Sequence, residues 1–306
     1  MFIKENDWVA LVSPAGYLED KTVADKAKSL LKKWHLQSYT APHALLQYGH
    51  FAGTDEQRKS DFQDALNRPE VKMIWALRGG YGSIRIVEDL DFSVLKKKTK
   101  LIVGFSDITI FHIRLHQLGY ESVHAFMPVQ LNKKIDKKII KQTKNALKGL
   151  SINYSFTSTS YNSHFKQVEG VVIGGNLANL YSVLGTSLDF DTDEKILFIE
   201  DVGEQLYQID RMMISLKKAK KLRNLKALLV GQFTDIPPNQ PKFSKSYQEI
   251  IKEHANGNYP VIFNAPIGHT HQNFPLILGR KLVLTNNGHK INIYQPGINT
   301  VQNEKK

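Results

Sequence analysis

One stretch of the sequence decides the fold of this chain, Leu101-Ile102-Val103-Gly104-Phe105-Ser106-Asp107-Ile108. Its apolar start predicts a buried strand, and the glycine permits a tight bend after it. An apolar helical pattern then begins and recurs at Ile108, Ile110, Phe111, Ile113 and Leu115. A strand that turns sharply into a helix lifts its turn serine out of the sheet, where the unpaired N–H groups and positive dipole end of the helix face whatever the serine attacks. The stretch therefore predicts a serine nucleophile at position 106.

An alternative interpretation is that Ser106 caps the helix that follows. Serine and aspartate are preferred at helix N-termini, and Ser106 and Asp107 stand where the helical pattern starts. A nucleophilic serine needs a base, usually histidine, and the base needs an acid or a carbonyl group to orient it. The choice between the two interpretations therefore depends on the rest of the chain.

The composition predicts a folded protein of two domains. The chain has 306 residues, of which 42% are hydrophobic, enough to bury a substantial core. We expect an N-terminal domain over residues 1–150, a linker over 151–166, where the sequence becomes polar and loses its periodicity, and a C-terminal domain over 167–306. No apolar stretch approaches the length that spans a bilayer, and the N-terminus lacks a signal-peptide pattern, so we expect a cytoplasmic protein.

The absence of cysteine and the basic charge narrow the possible chemistry. Without cysteine the chain has no thiol catalysis, no disulfide and no cysteine-ligated zinc. The net charge of +12 comes largely from lysines, with clusters at 96–100 and 133–141 that are typical of solvated surfaces. No recognisable nucleic-acid-binding module accompanies this charge, so we expect neither nucleic acid nor a membrane as a partner.

Strand-like apolar runs alternate with amphipathic helical ones, which indicates an α/β fold. In the N-terminal half the pattern favours a nucleophile domain with a parallel-rich sheet, and it predicts strands at 8–13, 73–77 and 101–105. In the C-terminal half it predicts strands at 168–173, 195–199, 227–232 and 260–264. The last two predicted strands flank Asn286-Asn287-Gly288, a strong hairpin signal, so we expect an α/β domain with a β-rich portion there.

Two residues of the C-terminal half can complete the chemistry of a serine nucleophile. His269 stands in a loop punctuated by glycine and proline after a predicted strand, where functional groups are often carried. Glu200 ends an apolar strand, at the edge where open α/β sheets bind ligands, and Asp201 should point to the opposite side. The alternatives are that His269 is an ordinary loop histidine and that Glu200 and Asp201 are an acidic pair that starts the next helix.

A second loop, Arg78-Gly79-Gly80-Tyr81-Gly82-Ser83, also follows a predicted strand. Adjacent glycines let backbone N–H groups approach a ligand closely, so Gly79 or Gly80, beside the N–H of Asp107, can form an oxyanion hole. A plain turn is the alternative. The order Ser106, Glu200, His269 is that of the α/β-hydrolases, but Ile108 replaces the second glycine of their nucleophile elbow, which disfavours that fold.

We expect neither a metal nor another cofactor. His112 and His116 lie four residues apart on a predicted helix, but the glutamate of the metalloprotease motif is missing. The glycines of the 78–83 loop do not have the dinucleotide-binding spacing, and the chain contains no phosphate-binding loop with its Gly-Lys-Ser/Thr motif.

Together these motifs resemble the LD-carboxypeptidase family of serine peptidases, and the resemblance spans nearly the whole chain. It is carried by seven segments in order: Ser13-Pro14-Ala15-Gly16; Phe51-Ala52-Gly53-Thr54-Asp55 through Arg58; Arg78-Gly79-Gly80-Tyr81-Gly82; Gly104-Phe105-Ser106-Asp107; Gly174-Gly175-Asn176-Leu177; Glu200-Asp201-Val202-Gly203-Glu204 through Tyr207, Asp210 and Arg211; and Gly268-His269.

The resemblance implies a catalytic triad of Ser106, Glu200 and His269, with the serine in the N-terminal domain and the other two residues in the C-terminal domain. It also implies a cytoplasmic homodimer that acts on murein peptides. Such an enzyme removes the terminal D-alanine of a tetrapeptide, by hydrolysis of an L,D bond, during peptidoglycan recycling. An exopeptidase must recognise a free carboxylate, and we expect Arg78 or Asn176 to bind it.

Two alternatives stand beside this function. A relative within the family removes acidic residues from a peptidyl-nucleotide antibiotic and so confers immunity to a microcin, and a non-catalytic protein would bind wall peptides in the same cleft. The chain also departs from the family pattern, because His124-Ala125-Phe126-Met127-Pro128 stands where His-Gly-Pro-Met is frequent. The bulkier neighbours are expected to change the shape of the substrate pocket.

Overall fold

The computed structural model describes residues 2–158, 160–161, 165–288 and 290–298. Its strands are β1 (Trp8–Val12), β2 (Gln37–Thr40), β3 (Val71–Ala76), β4 (Leu101–Gly104), β5 (Ser122–His124), β6 (Ile152–Thr157), β7 (Ser160–Tyr161), β8 (Gln167–Asn176), β9 (Lys195–Val202), β10 (Ala227–Thr234), β11 (Val261–Ile262), β12 (Leu276–Leu278), β13 (Lys281–Asn286) and β14 (Lys290–Gln295). Its α-helices are α1 (Thr22–Lys33), α2 (Asp55–Asn67), α3 (Thr109–Gln117), α4 (Lys137–Leu147), α5 (Leu177–Ser182), α6 (Leu206–Lys218) and α7 (Tyr247–His254). A 3₁₀ turn, Ser106–Ile108, joins β4 to α3.

The first sheet has six strands in the order β12-β5-β4-β3-β1-β2. Its five strands from the N-terminal half run parallel, and β12 pairs antiparallel with β5 at one edge. Strands β1, β3 and β4 are buried along almost their whole length, as expected when a parallel sheet is covered on both faces. The strand order reverses between β1 and β3, which opens a crevice at the carboxyl ends of these strands.

The second sheet has eight strands in the order β6-β14-β13-β8-β9-β10-β11-β7. Strands β8 to β11 are parallel, and the remaining neighbours pair antiparallel. The predicted hairpin at Asn286-Asn287-Gly288 connects β13 to β14. The prediction of an α/β fold, with a parallel-rich sheet in the N-terminal half and an α/β unit with a β-rich portion in the C-terminal half, is confirmed.

The predicted linker over 151–166 was wrong in its first part. Residues Ile152–Thr157 form β6, which pairs with β14 at the edge of the second sheet. Every second side chain of β6 is buried, but polar residues alternate with only three apolar or aromatic ones, so the short pattern was missed. Residues 159 and 162–164 lie outside the described residues. Strand β12 belongs to the first sheet, although its residues fall within the predicted C-terminal domain. The domain limits stay a prediction.

Helix α2 was not predicted, because its inner face carries polar side chains. Arg58 and Asp61 are buried there beside Phe62, which breaks the apolar periodicity that indicates a helix. The helix begins at a capping box, in which the Thr54 hydroxyl accepts the N–H of Gln57 and the Gln57 side chain accepts the N–H of Thr54. Helix α7 and the short strands β2, β5 and β12 were not predicted either.

The fold brings the motif-bearing loops to one crevice. The loops after β1, β3 and β4 leave the first sheet at its carboxyl edge, and the N–H of Gly16 in the first loop donates to Gly79 O in the second at 2.9 Å. Glu200 lies near the carboxyl end of β9, and the loop with His269 follows β11. Parallel strands thus place residues from distant parts of the chain at the same edge.

Replacing Trp75 with alanine should lower the free energy of unfolding by about 3–5 kcal/mol, because a large buried cavity forms. Trp75 is 1% exposed, stacks on Trp34, and donates its indole N–H to Phe126 O at 3.1 Å. The matched control is Trp8→Ala, since Trp8 is 37% exposed on β1. Urea unfolding followed by circular dichroism measures both variants, and equal losses would contradict this account of the core.

Candidate active site

The predicted nucleophile lies in the 3₁₀ turn Ser106–Ile108 between β4 and α3, which we call the nucleophile turn. The backbone of this turn is strained. Ser106 has a left-handed backbone conformation with φ of 62°, which costs a non-glycine residue on the order of 1 kcal/mol or more. Gly104 allows the tight turn, since a Cβ atom there would lie 2.8 Å from Ile108 Cγ1. The alternative that Ser106 caps the helix is not realised, because neither the 3₁₀ turn nor α3 has a side-chain cap.

Ser106, His269 and Glu200 form one hydrogen-bonded chain. His269 Nε2 lies 2.9 Å from Ser106 Oγ, and His269 Nδ1 lies 2.7 Å from Glu200 Oε2. A carboxylate only accepts hydrogen bonds, so Nδ1 carries the imidazole proton and Nε2 accepts the hydroxyl proton of Ser106. This is the geometry in which a base can activate a serine hydroxyl.

Two glycines make room for the side chain of Glu200, which is fully buried. A Cβ atom at Gly268, where φ is 124°, would lie 2.8 Å from Glu200 Oε2. A Cβ atom at Gly231 would lie 3.1 Å from Glu200 Cβ. Glu200 belongs to β9 and not to the start of α6, so the alternative of a helix-initiating acidic pair was wrong.

The loop that carries His269 is attached to the first sheet through Asn273. The side-chain oxygen of Asn273 accepts the N–H of Gly268 at 3.0 Å and the Nε2–H of His124 at 3.2 Å. His124 ends β5, and burial lowers its pKa to about 3, so this ring stays neutral. Neither residue was predicted to belong to the site, because no motif contains Asn273, and His124 only begins the segment that departs from the family pattern.

The electrostatic surroundings of His269 favour its protonated form. Burial by itself would lower the pKa of His269, but the charge and the hydrogen bond of Glu200, with smaller contributions from Asp201 and Asp235, outweigh burial and raise it. The ring also packs against Phe105, with 4.8 Å between the ring centres. The imidazole is therefore a stronger base than an isolated histidine.

Gly79 lies against Ser106 and the backbone of Asp107, and Gly80 follows it in the loop after β3. A Cβ atom at Gly79 would lie 3.2 Å from Ser106 Oγ and 3.4 Å from the backbone nitrogen of Asp107, so only glycine fits there without displacement. Gly80 has φ of 104°, a conformation that favours glycine. None of the hydrogen bonds found among the described residues uses the N–H of Asp107 or of Gly80. These two N–H groups are available to a ligand.

Buried side chains hold the loops of the crevice together. The Asp107 carboxylate accepts the N–H of Ser83 at 2.8 Å, which ties the nucleophile turn to the 78–83 loop. Arg58 donates through Nη1 to Gly82 O at 3.0 Å and to Pro14 O in the loop after β1. Arg58 belongs to a motif quoted above, but its structural role became visible only when its partners were brought together.

Arg78 lies beside the glycines of this loop, and its side chain is 31% exposed. Its Nη1 donates to Tyr17 O at 2.7 Å and lies 3.6 Å from a carboxylate oxygen of the exposed Glu19. The backbone oxygen of Tyr17 fixes one edge of the guanidinium, and the group keeps further donors for a ligand.

Asn176 ends β8 and caps the helix that follows it. Its side chain is buried, its Nδ2 donates to Asp201 Oδ1 at 2.7 Å, and its Oδ1 accepts the N–H of Asn179 at the start of α5. Asn176 thus caps α5 and bonds Asp201, and its contact with the substrate carboxylate stays a prediction. Asp201 lies on the side of β9 opposite to Glu200, as its place in a strand predicts.

His112 is a buried structural histidine. It contacts Ser122 Oγ at 2.8 Å and Gly104 O at 3.0 Å, and burial lowers its pKa to about 4. Within the described ranges, no group of three or more His, Asp or Glu side chains is arranged to hold a metal ion. In the same part of the chain, no helix combines the length and the apolar character needed to cross a bilayer.

Replacing Glu200 with glutamine should lower the pKa of His269 below its ordinary value of about 6.5, because the charge that offsets burial is then lost. In the wild-type protein the imidazole should therefore deprotonate at a higher pH than in the variant. NMR titration of the imidazole signals measures this difference, with the exposed His35 as an internal reference. An unchanged or raised pKa in the variant would show that Glu200 does not control the base.

Two family models match most of the chain. The LD-carboxypeptidase N-terminal domain matches residues 9–125, and the LD-carboxypeptidase C-terminal domain matches residues 169–284. A protein of Bacillus subtilis named probable murein peptide carboxypeptidase is 31% identical over 97% of this chain and 94% of its own length. The murein tetrapeptide carboxypeptidase of Pseudomonas aeruginosa is 28% identical over 91% of this chain and 93% of its own.

Solved structures show the same fold. The crystal structure of muramoyltetrapeptide carboxypeptidase from Oxalobacter formigenes has a TM-score of 0.83 and 27% identity, and the match covers 94% of this chain and 98% of that one. The microcin C7 self-immunity protein MccF, solved in complex with aspartyl sulfamoyl adenosine, has a TM-score of 0.83 and 20% identity over 95% of this chain and 96% of its own. With the matches along its whole length, the chain belongs to the LD-carboxypeptidase family of peptidases.

Proposed function

We propose that this protein is a serine LD-carboxypeptidase that removes the terminal D-alanine from murein tetrapeptides. The observation that carries the proposal is the hydrogen-bonded chain from Ser106 through His269 to the buried Glu200. The substrate class is supported by the two murein peptide carboxypeptidases, which align with more than nine-tenths of this chain.

In the proposed reaction His269 takes the proton of Ser106 while the hydroxyl oxygen attacks the scissile carbonyl carbon. Glu200 stabilises the imidazolium that forms. The bond to the terminal residue then breaks, and His269 gives its proton to the amine of the leaving D-alanine. Water attacks the remaining ester with His269 again as the base, which releases the tripeptide and restores Ser106.

The oxyanion of the tetrahedral intermediate needs donors that are already in place. We assign this role to the N–H of Asp107, the residue after Ser106, and to an N–H of the Gly79-Gly80 turn, because Gly79 packs against Ser106 and Asp107. A donor of this kind typically contributes about 3 kcal/mol to stabilisation of the transition state. The helix that follows the turn adds its positive dipole end, since α3 begins at Thr109.

An exopeptidase must also bind the free carboxylate of its substrate. We assign this role to Arg78, because it directly precedes the Gly79-Gly80 turn and its partly exposed guanidinium keeps donors free for a planar carboxylate. The net charge of +12 supports the approach of an anionic peptide. The assembly as a homodimer and the role in recycling wall peptides in the cytoplasm are proposed from the family resemblance.

A second candidate is the cleavage of an acidic aminoacyl nucleotide, as in a self-immunity protein. The similarity to MccF, at 20% identity, supports a shared fold only. An assay must therefore distinguish a murein tetrapeptide from an aminoacyl nucleotide as the substrate. Mass spectrometry of the protein incubated with a murein tetrapeptide should show the loss of one alanine. Hydrolysis of an aspartyl sulfamoyl adenylate in its place would favour the second candidate, and tight peptide binding without turnover would favour a binding protein.

Replacing Ser106 with alanine should lower kcat on a murein tetrapeptide by about 10⁴-fold or more, because the attacking oxygen is removed. Circular dichroism should show an unchanged fold. The control is Ser29→Ala, since Ser29 is exposed on α1. Retention of most of the activity by the Ser106 variant would disprove the assignment of the nucleophile.

Replacing Arg78 with alanine should raise KM for the tetrapeptide by about 10- to 100-fold, the usual effect of losing a charge-assisted hydrogen bond. The kcat should change much less, because Arg78 does not touch the triad. Steady-state kinetics measures both constants, with Arg68→Ala as a control at an exposed ion pair after α2. A loss confined to kcat would place Arg78 outside carboxylate binding.

A further inference from the structure

We propose that Asp201 is a positioning residue for the nucleophile, acting from the side of β9 opposite to Glu200. The inference rests on the proposed serine chemistry and assigns a role to a residue that does not contact Ser106. It follows from a hydrogen-bond network that leads from Asp201 through Asn176 to both ends of the nucleophile turn.

Asp201 is buried, and three donors satisfy its carboxylate. Asn176 Nδ2 donates at 2.7 Å, the N–H of Ala178 at 2.9 Å and the N–H of Val202 at 2.8 Å. A buried carboxylate is stable only when it has such partners. Because adjacent residues of a strand point to opposite sides, Glu200 contacts the base while Asp201 contacts the start of α5.

The network continues from Asn176 to the segment that contains the nucleophile. The N–H of Asn176 donates to Thr109 Oγ1 at 3.0 Å, and Thr109 is the first residue of α3, three positions after Ser106. The approach is close, since a Cβ atom at Gly175 would lie 2.4 Å from the same hydroxyl oxygen. A side chain at position 175 would therefore push the nucleophile turn away.

A second branch reaches the other end of the turn. Asn176 Oδ1 accepts the N–H of Asn179 at 3.1 Å and its Nδ2 at 2.9 Å. Asn179 Nδ2 in turn lies 3.4 Å from Ser106 O. Asp201 orients the side-chain amide of Asn176, which holds Asn179 beside Ser106 O, and it anchors the residue whose backbone N–H bonds Thr109 Oγ1.

Strand β9 thereby controls both partners of the proposed proton transfer. One residue holds the base and the next holds the turn of the nucleophile, so the relative position of Ser106 and His269 follows from the geometry of one strand. The left-handed backbone of Ser106 is strained and persists only when its surroundings hold it. The Asp201 network supplies such surroundings.

The test uses two variants. One is the single variant Asp201→Asn, and the other is a double variant that exchanges the two side chains, Asp201→Asn with Asn176→Asp. The single change leaves one acceptor oxygen and turns an amide NH₂ group toward either Asn176 Nδ2 or the N–H of Ala178, because these two donors bond different oxygens of Asp201. The rate of covalent labelling of Ser106 by a fluorophosphonate should fall by about 10²-fold, the usual effect of misplacing a reacting group. On a murein tetrapeptide kcat should fall in parallel, while KM changes little. The exchange recreates an Asp–Asn pair with reversed polarity and should restore most of the lost rate.

The control is Asp193→Asn, the same chemical change at an exposed position before β9. Labelling of Asp201→Asn at the wild-type rate would overturn the inference, and so would an exchange variant that folds but stays as slow as the single variant. If Asp201→Asn does not fold, Asn179→Ala is used instead, with slower labelling expected and the wild-type rate again contradicting the inference. A wild-type protein that the fluorophosphonate does not label would refute the proposed serine chemistry itself, which separates the two failures.

Discussion

The two sheets meet where Gly175 of β8 lies against Thr109, the first residue of α3. A Cβ atom at position 175 would come within 2.4 Å of the threonine hydroxyl, so this approach is open only to glycine. The neighbouring N–H of Asn176 can then bond the same hydroxyl at 3.0 Å, which joins the second sheet to the nucleophile turn. The 2.9 Å contact between Ser106 and His269 depends on that junction, because the two residues come from different sheets.

Burial of charge is the second constraint on the site. Glu200 is completely buried, and its Oε1 has no hydrogen-bond partner among the described residues. Taking a carboxylate out of water costs several kcal/mol unless its partners compensate. Here the compensation comes through Oε2 from a histidine whose pKa the carboxylate raises in return. Burial of Glu200 thus costs stability, but the buried carboxylate makes His269 a stronger base beside the serine. Functional sites often carry such a local cost.

Local patterns identified the elements whose burial is simple. The apolar runs of β1, β4 and β9 and the turn residues between β13 and β14 were predicted within a few residues. Elements whose buried face carries both polar and apolar side chains were not predicted. Helix α2 is the clearest example, because its buried Arg58 bonds loops that are distant in the sequence. Strand β12 was not predicted for a different reason. It has only three residues, and their sequence does not indicate that they form the edge of the first sheet.

Alternating apolar and amphipathic runs predicted the α/β class, and the order of the motifs predicted the family and three residues that the structure brings into one hydrogen-bonded chain. These properties can be predicted because residue type and spacing along the chain express them directly. The three-dimensional structure was needed to see that Asn176 caps α5, that Asn273 and His124 anchor the loop carrying His269, and that Asp201 bonds Asn176. The contact between Asn176 and Asp201 joins residues 25 positions apart, and that between His124 and Asn273 joins residues 149 apart, so both exist only after the chain has folded.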